Sequence, residues 1–114
     1  MPDPEGFLPL KPADFHILIV LLEQDLHGYG IMKAVEEETG GKVVLEVGSL
    51  YRLLGRLLDE GLLEHVPAPP EETDERRKYY TITELGRRVV AAEARRLSEV
   101  MDVVRRKELL GEVP

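Results

Sequence analysis

At 114 residues, 43% of them apolar, the chain is long enough for one domain that buries its own core, and the lack of cysteine excludes a disulfide framework and a thiolate metal site. A formal net charge of -7 excludes the uniformly basic surface of most nucleic-acid binders, although charge counts locally, within a Debye length of ~8 Å. The apolar run at residues 17–22 is far shorter than the ~20 residues that span a bilayer, and the opening Met-Pro-Asp-Pro-Glu-Gly has no basic start or apolar segment for export, so a cytoplasmic protein without membrane contact is expected.

In chain order, residues 1–11 carry Pro2, Pro4 and Pro9 with little pattern and are expected to form a flexible arm. Pro12 suits a first helical turn, where its missing N–H is harmless, and the apolar block from Phe15 follows at once. The β-branched content of that block would also suit a buried strand. A buried helix over residues 12–24 is preferred, because the segment opens on a helix-start signal and closes on polar residues. Asp25-Leu26-His27-Gly28 reads as a turn. A second helix over residues 29–39 turns Ile31, Ala34 and Val35 inward and stops at Gly40-Gly41. Glu36, Glu37 and Glu38 oppose its dipole, so packing must hold it. Residues 42–47 are β-branched and read as one brief strand.

The chain is organised around residues 48–62. Leu50, Leu53, Leu54, Leu57 and Leu58 recur at steps of three and four and make one apolar stripe, leaving Tyr51, Arg52, Gly55, Arg56 and Asp59 outward. Ser49 is the expected cap, and Gly61-Leu62 the left-handed stop. Arg52 stands in a first turn, where the dipole disfavours a cation, and Gly55 costs about 1 kcal/mol relative to Ala on a helix. Both choices fit a face laid against a polyanion, with the arginines on phosphates or base edges and Gly55 letting the backbone come close. The bland alternative is an ordinary amphipathic helix with arginines on its wet side.

Residues 63–66 and 79–82 read as strands, joined by a proline-rich acidic tip that contains Glu71, Glu72, Asp74 and Glu75 and ends in Arg76-Arg77-Lys78. This is an antiparallel wing over about residues 62–83, whose basic base would lie beside the central helix. Tyr79 and Tyr80 point to opposite faces of their strand, so one belongs to the core. Thr83 and Glu84 open a last helix over residues 84–110, with Val90, Ala94, Leu97, Met101 and Val104 at alternating steps of four and three. At ~40 Å such a helix overhangs a body with a radius of gyration of ~12 Å, and its stripe is expected to pair with the same helix of a second chain. Folding back over its own core is the alternative.

The expected fold class is mainly α with a small β hairpin: a winged helix-turn-helix over residues 12–83 followed by a dimerisation helix over 84–110. Phe15-His16-Ile17-Leu18, Leu26-His27-Gly28-Tyr29-Gly30-Ile31, Gly48-Ser49-Leu50-Tyr51-Arg52-Leu53-Leu54, Glu60-Gly61-Leu62 and Arg76-Arg77-Lys78-Tyr79-Tyr80-Thr81-Ile82-Thr83, in that order, resemble the PadR family of bacterial transcriptional regulators over roughly residues 12–100. Where such proteins usually have Pro-Gly-Thr-Leu-Tyr, this chain has Val47-Gly48-Ser49-Leu50-Tyr51; its wing tip is longer and more acidic, and its single helix after the wing is like that of the short members. The resemblance implies a homodimer that represses transcription from a palindromic operator and is released by a small-molecule effector, with the helix from Ser49 in the major groove and the wing along the backbone.

On this reading the DNA-binding residues are Tyr29, Ser49 and Tyr51 through hydroxyls on phosphate, Arg52 and Arg56 on base edges, and Arg76, Arg77 and Lys78 as backbone charge. His16, His27 and His65 lack ligand spacing, so no metal or other cofactor is expected. With no nucleophile elbow, phosphate loop or dinucleotide fingerprint, an enzyme is not expected. The competing function is a winged-helix module for protein–protein assembly, its acidic surface meeting a basic partner.

Overall fold

The core forms where the apolar stripes of four helices meet one side of a small sheet. The computed structural model describes residues 1–111. It contains a 3-10 turn Pro4–Phe7, α1 Pro12–Val20, β1 Leu26–His27, α2 Gly28–Glu38, α3 Val47–Asp59, β2 Leu63–Val66, β3 Tyr79–Ile82 and α4 Glu84–Arg106. Ile17, Leu18, Ile31, Val35, Leu50, Leu57, Leu62 and Val89 are fully buried together. Burying a leucine contributes about 1.5–3 kcal/mol, so Leu50, Leu54 and Leu57 of α3 far outweigh the ~1 kcal/mol that Gly55 costs the same helix.

The helix at residues 12–24 forms, but α1 ends at Val20, so that the following residues can carry Leu26 and His27 into the sheet. The expected turn at residues 25–28 therefore contains a strand. β1 pairs antiparallel with β3, Leu26 opposite Tyr80 and His27 opposite Tyr79, and β2 flanks the other side of β3, Leu63 opposite Ile82 and Val66 opposite Tyr79. The brief strand expected at residues 42–47 is absent. Val43 is held instead by the Thr39 hydroxyl, which accepts its N–H at 3.0 Å, and no neighbouring strand lies alongside among the described residues.

Both ends of α3 have local causes. Leu50 N–H donates to the Glu46 carbonyl at 2.8 Å, so the helix starts at Val47 with Glu46 as its uncapped entry residue. Ser49, expected as the cap, is thus inside the first turn. The other end is as expected: Gly61 has φ +79°, a conformation costly for any residue with a Cβ, and the next N–H, of Leu62, closes on the Leu57 carbonyl at 3.0 Å. Thr83 caps α4 by accepting the Gly86 N–H at 3.0 Å.

Residues 1–11, expected to be flexible, lie against the body. Asp3 Oδ1 accepts the Glu5 N–H at 3.0 Å, Phe7, Leu8 and Leu10 pack on the core, and Leu10 N–H donates to Glu93 Oε2 at 2.9 Å. Glu93, 1% exposed on α4, is kept ionised by Arg96 beside it. Two polar contacts and three apolar side chains offset the entropy of ordering that a proline-rich composition alone would not.

The buried residues of α4 end at Glu93. Residues 94–106, about 20 Å of helix by the usual rise, continue beyond them. Along this stretch Leu97, Met101 and Val104 are half-buried, while Val100 and Val103 are 45% and 43% exposed. Val90, expected in the dimer stripe, is 7% exposed within its own core instead, because the first turns of α4 serve that core before the stripe runs clear; Ala94 is exposed.

Candidate nucleic-acid interface

The start of α2, the first half of α3 and the wing surround a groove of about 610 Å³. Tyr29 and Tyr51 line one side, 60% and 52% exposed, and Arg76, Arg77 and Lys78 line the other. Their convergence depends on Gly28. The Tyr51 hydroxyl lies across it so closely that a Cβ at this position would come within 2.5 Å of the oxygen. Of the two neighbouring tyrosines on β3, Tyr80 is the core member at 5% exposure, and burial pushes its hydroxyl pKa up.

The five expected cations fall into different situations. Arg52 is exposed on α3 next to Tyr51, Lys78 is exposed at the foot of the wing, and neither has a carboxylate partner among the described residues. Arg56 does not point freely outward as its spacing suggested. Its Nη2 meets both oxygens of Asp14 at 2.8 and 2.9 Å and its Nη1 meets Glu60 at 3.1 Å, in a cleft with Leu10 and Lys11 rather than in the groove. The Asp14 side chain is 4% exposed, so this pair ties α3 to α1 from within. Arg76 and Arg77 are in the groove but meet acids of the wing itself, Asp74 at 3.2 Å and Glu72 at 3.3 Å. Ser49 is half-buried in the first turn of α3.

Three residues that bear on this site were not singled out from the sequence. His27 caps α2, its Nδ1 accepting the Gly30 N–H at 2.8 Å; Nε2 then carries the proton of the neutral ring and faces Glu72 Oε1 at 3.9 Å. Glu72 accepts the Tyr79 hydroxyl at 2.6 Å and the Asp74 N–H at 3.1 Å. The Tyr79 hydroxyl, with the Asp74 N–H and Arg77, holds the Glu72 carboxyl down at about 2. Asp14 is the third, an acid in an apolar helix that lies outside the groove and holds Arg56 away from it. Its signal was available, since a lone carboxylate in the run Pro-Ala-Asp-Phe-His-Ile needs a buried partner.

A helix-turn-helix whose second helix is uncovered beside a β wing defines a winged-helix DNA-binding protein. The family of transcriptional regulators described as PadR-like matches residues 17–92, and the chain belongs to that family. An uncharacterised protein of Lysinibacillus sphaericus is 28% identical over 91 residues, 80% of this chain and 83% of that one. The crystal structure of a PadR family transcription regulator from Clostridium difficile superposes with a TM-score of 0.73 at 24% identity, over 89% of this chain and 100% of that one, and supports the fold. Bacillus subtilis PadR in complex with operator DNA is 27% identical, with a TM-score of 0.63, over 74% of this chain and 47% of that one. The chain is accordingly a DNA-binding transcriptional regulator, in a family of regulators rather than enzymes. Among the described residues, no helix is long and apolar enough to cross a membrane.

Proposed function

We propose that the protein is a repressor that binds a palindromic operator as a homodimer, with α3 in the major groove and the wing along the backbone. The observation that carries this is the unpaired Arg52 on the outer face of α3, beside a groove rimmed by Tyr29, Tyr51 and Lys78. Arg52 reads a base, and a bidentate guanine contact would give about 1–3 kcal/mol of discrimination. Tyr29, Tyr51 and Ser49 set register through phosphate, and Lys78 adds charge without sequence preference. Arg56, its fork filled by Asp14 and Glu60, holds α3 in place rather than reading bases. Leu97, Met101 and Val104, with Val100 and Val103, pair the two protomers and set the half-site separation, roughly 34 Å for adjacent turns of DNA. A small molecule seated between protomers would release the operator by changing that separation.

The alternative, an assembly module for a basic partner, draws on the net charge and the paired wing arginines. Titration against fragments of the source genome, beginning upstream of the protein's own coding region, at two salt concentrations and with mass recorded, separates the two. A dimer that selects one fragment and loses affinity steeply with salt is expected, because released counterions give the slope. Weak, unselective binding at both salts would favour the assembly module, and a folded monomer would end the dimer reading.

A further inference from the structure

The hairpin that supplies the wing's cations also neutralises them. Residues 67–78 hold four acids, Glu71, Glu72, Asp74 and Glu75, against Arg76, Arg77 and Lys78. Two of the acids fold back on the arginines. Asp74 accepts Arg76 Nε at 3.2 Å and Nη2 at 3.3 Å, and Glu72 accepts Arg77 Nη1 at 3.3 Å. These carboxylates are fixed by other groups as well. The Arg76 N–H donates to Asp74 at 2.9 Å, while the Asp74 N–H and the Tyr79 hydroxyl hold Glu72 at 3.1 and 2.6 Å. The Glu72 side chain is 7% exposed and that of Asp74 32%. A carboxylate anchored in this way stays in place whether or not its arginine does.

We infer that Glu72 and Asp74 limit the sequence-independent grip of the DNA interface by holding Arg77 and Arg76 as neutral pairs, which removes two cations per wing from contact with phosphate. The inference rests on the DNA-binding reading above. A cation that neutralises a phosphate steepens the dependence of log affinity on log salt by about 0.9, whereas an arginine already paired with a carboxylate releases no counterion. Lys78 and Arg52 then supply the unpaired charge of this face. Base contacts from α3, which fit one register only, decide where the protein stays.

The test uses the full chain and a random-sequence duplex of about 30 base pairs, titrated between about 50 and 200 mM salt, the range over which counterion release is measured. Asp74→Asn removes the charge but keeps an oxygen to accept the Arg76 N–H. One phosphate gained per wing, two per dimer, steepens the slope by about 1.8 and raises low-salt affinity about tenfold relative to high salt. Adding Arg76→Ala to Asp74→Asn should return the slope to its starting value. Glu72→Gln, which still accepts from Tyr79, should act likewise through Arg77. Asp102→Asn frees Arg105 on α4, far along the chain from the wing, and should leave the slope alone. An unchanged or shallower slope in both wing variants would overturn the inference, as would equal steepening from Asp102→Asn, which would mean that net charge alone is at work. If no variant, nor the parent protein, binds random or genomic duplex, the DNA-binding reading fails instead.

Discussion

Gly55→Ala separates the two uses of α3, because folding and DNA binding should respond with opposite sign. Gly55 lies in the middle of the helix Val47–Asp59, among the exposed Tyr51, Arg52 and Asp59, and a Cβ built there meets nothing within 4 Å. Nothing inside the protein therefore requires a glycine. Alanine should stabilise the helix by about 0.8–1 kcal/mol, since glycine leaves more backbone freedom to lose on folding. For a chain of this size that is a rise of about 4 °C in the melting midpoint. If the backbone of α3 lies against base edges, the same methyl projects ~1.5 Å into a filled space, and overpacking of that kind costs about 1–3 kcal/mol, or five- to 150-fold in operator affinity. Thermal unfolding followed by circular dichroism and operator titration by fluorescence anisotropy give the two numbers. A more stable protein with undiminished operator affinity would refute close approach at Gly55. A less stable one would show that the glycine serves the fold after all.

Other expectations follow from the ion pairs and from α4. Arg56→Ala strands the buried Asp14 and should cost about 2–3 kcal/mol in denaturant unfolding, below the value for a fully buried pair because the Arg56 side chain is 38% exposed. Asp14→Ala should cost less, since the freed guanidinium reaches water; a stable Arg56→Ala protein with relaxed preference at one base would restore Arg56 as a reader. Glu72 is held at about 2 in the folded protein against an ordinary 4.5, so its contribution to wing stability is complete above pH 4.5 and is lost as the pH falls toward 2. The Tyr79 ring resonances should report that loss, and Glu72→Gln should abolish this part of the titration. Leu97→Asp combined with Met101→Asp should give a folded monomer by sedimentation, because the buried residues of α4 end at Glu93; a dimer of unchanged affinity would place the interface elsewhere.

What the sequence made legible followed from periodicity and from end signals. The leucines of α3, the stop at Gly61, the cap at Thr83 and both wing strands depend on residues within one or two turns, and local spacing exposes such causes. What it hid depends on partners distant in the chain. Leu26–His27 is a strand only because Tyr79–Tyr80 lies alongside, and two residues carry no alternation of their own. Arg56 and Arg52 are one turn apart and look equivalent on a helical wheel, yet Asp14, 42 residues away, claims the one and leaves the other. The contact of the arm at residues 1–11 is hidden for the same reason, since Glu93, which accepts the Leu10 N–H, lies 83 residues away. At the site, the tyrosines and Lys78 are legible from the motifs, while the pairing of Arg76 and Arg77 with Asp74 and Glu72 depends on how the tip folds back and leaves no mark in spacing.

The charge balance reads differently once the pairs are known. In a dimer the -7 of each chain is doubled, and such a body approaches a polyanion against its own net field. Beyond a Debye length of ~8 Å the field is largely screened, so what opposes binding is set by the charges that lie near the docked duplex rather than by the net charge of the body. The wing works in the same direction, because its paired arginines attract phosphate less than their number suggests. On the proposed reading Arg52 carries the discrimination, since it is unpaired and would reach a base only with α3 seated in the groove. An acidic body and a self-neutralised wing therefore lower the affinity for arbitrary duplex and for the operator alike, and leave the ratio between them to the fit of α3. For a regulator that must find one operator among a genome of competitors, the ratio of those affinities, rather than either alone, sets occupancy.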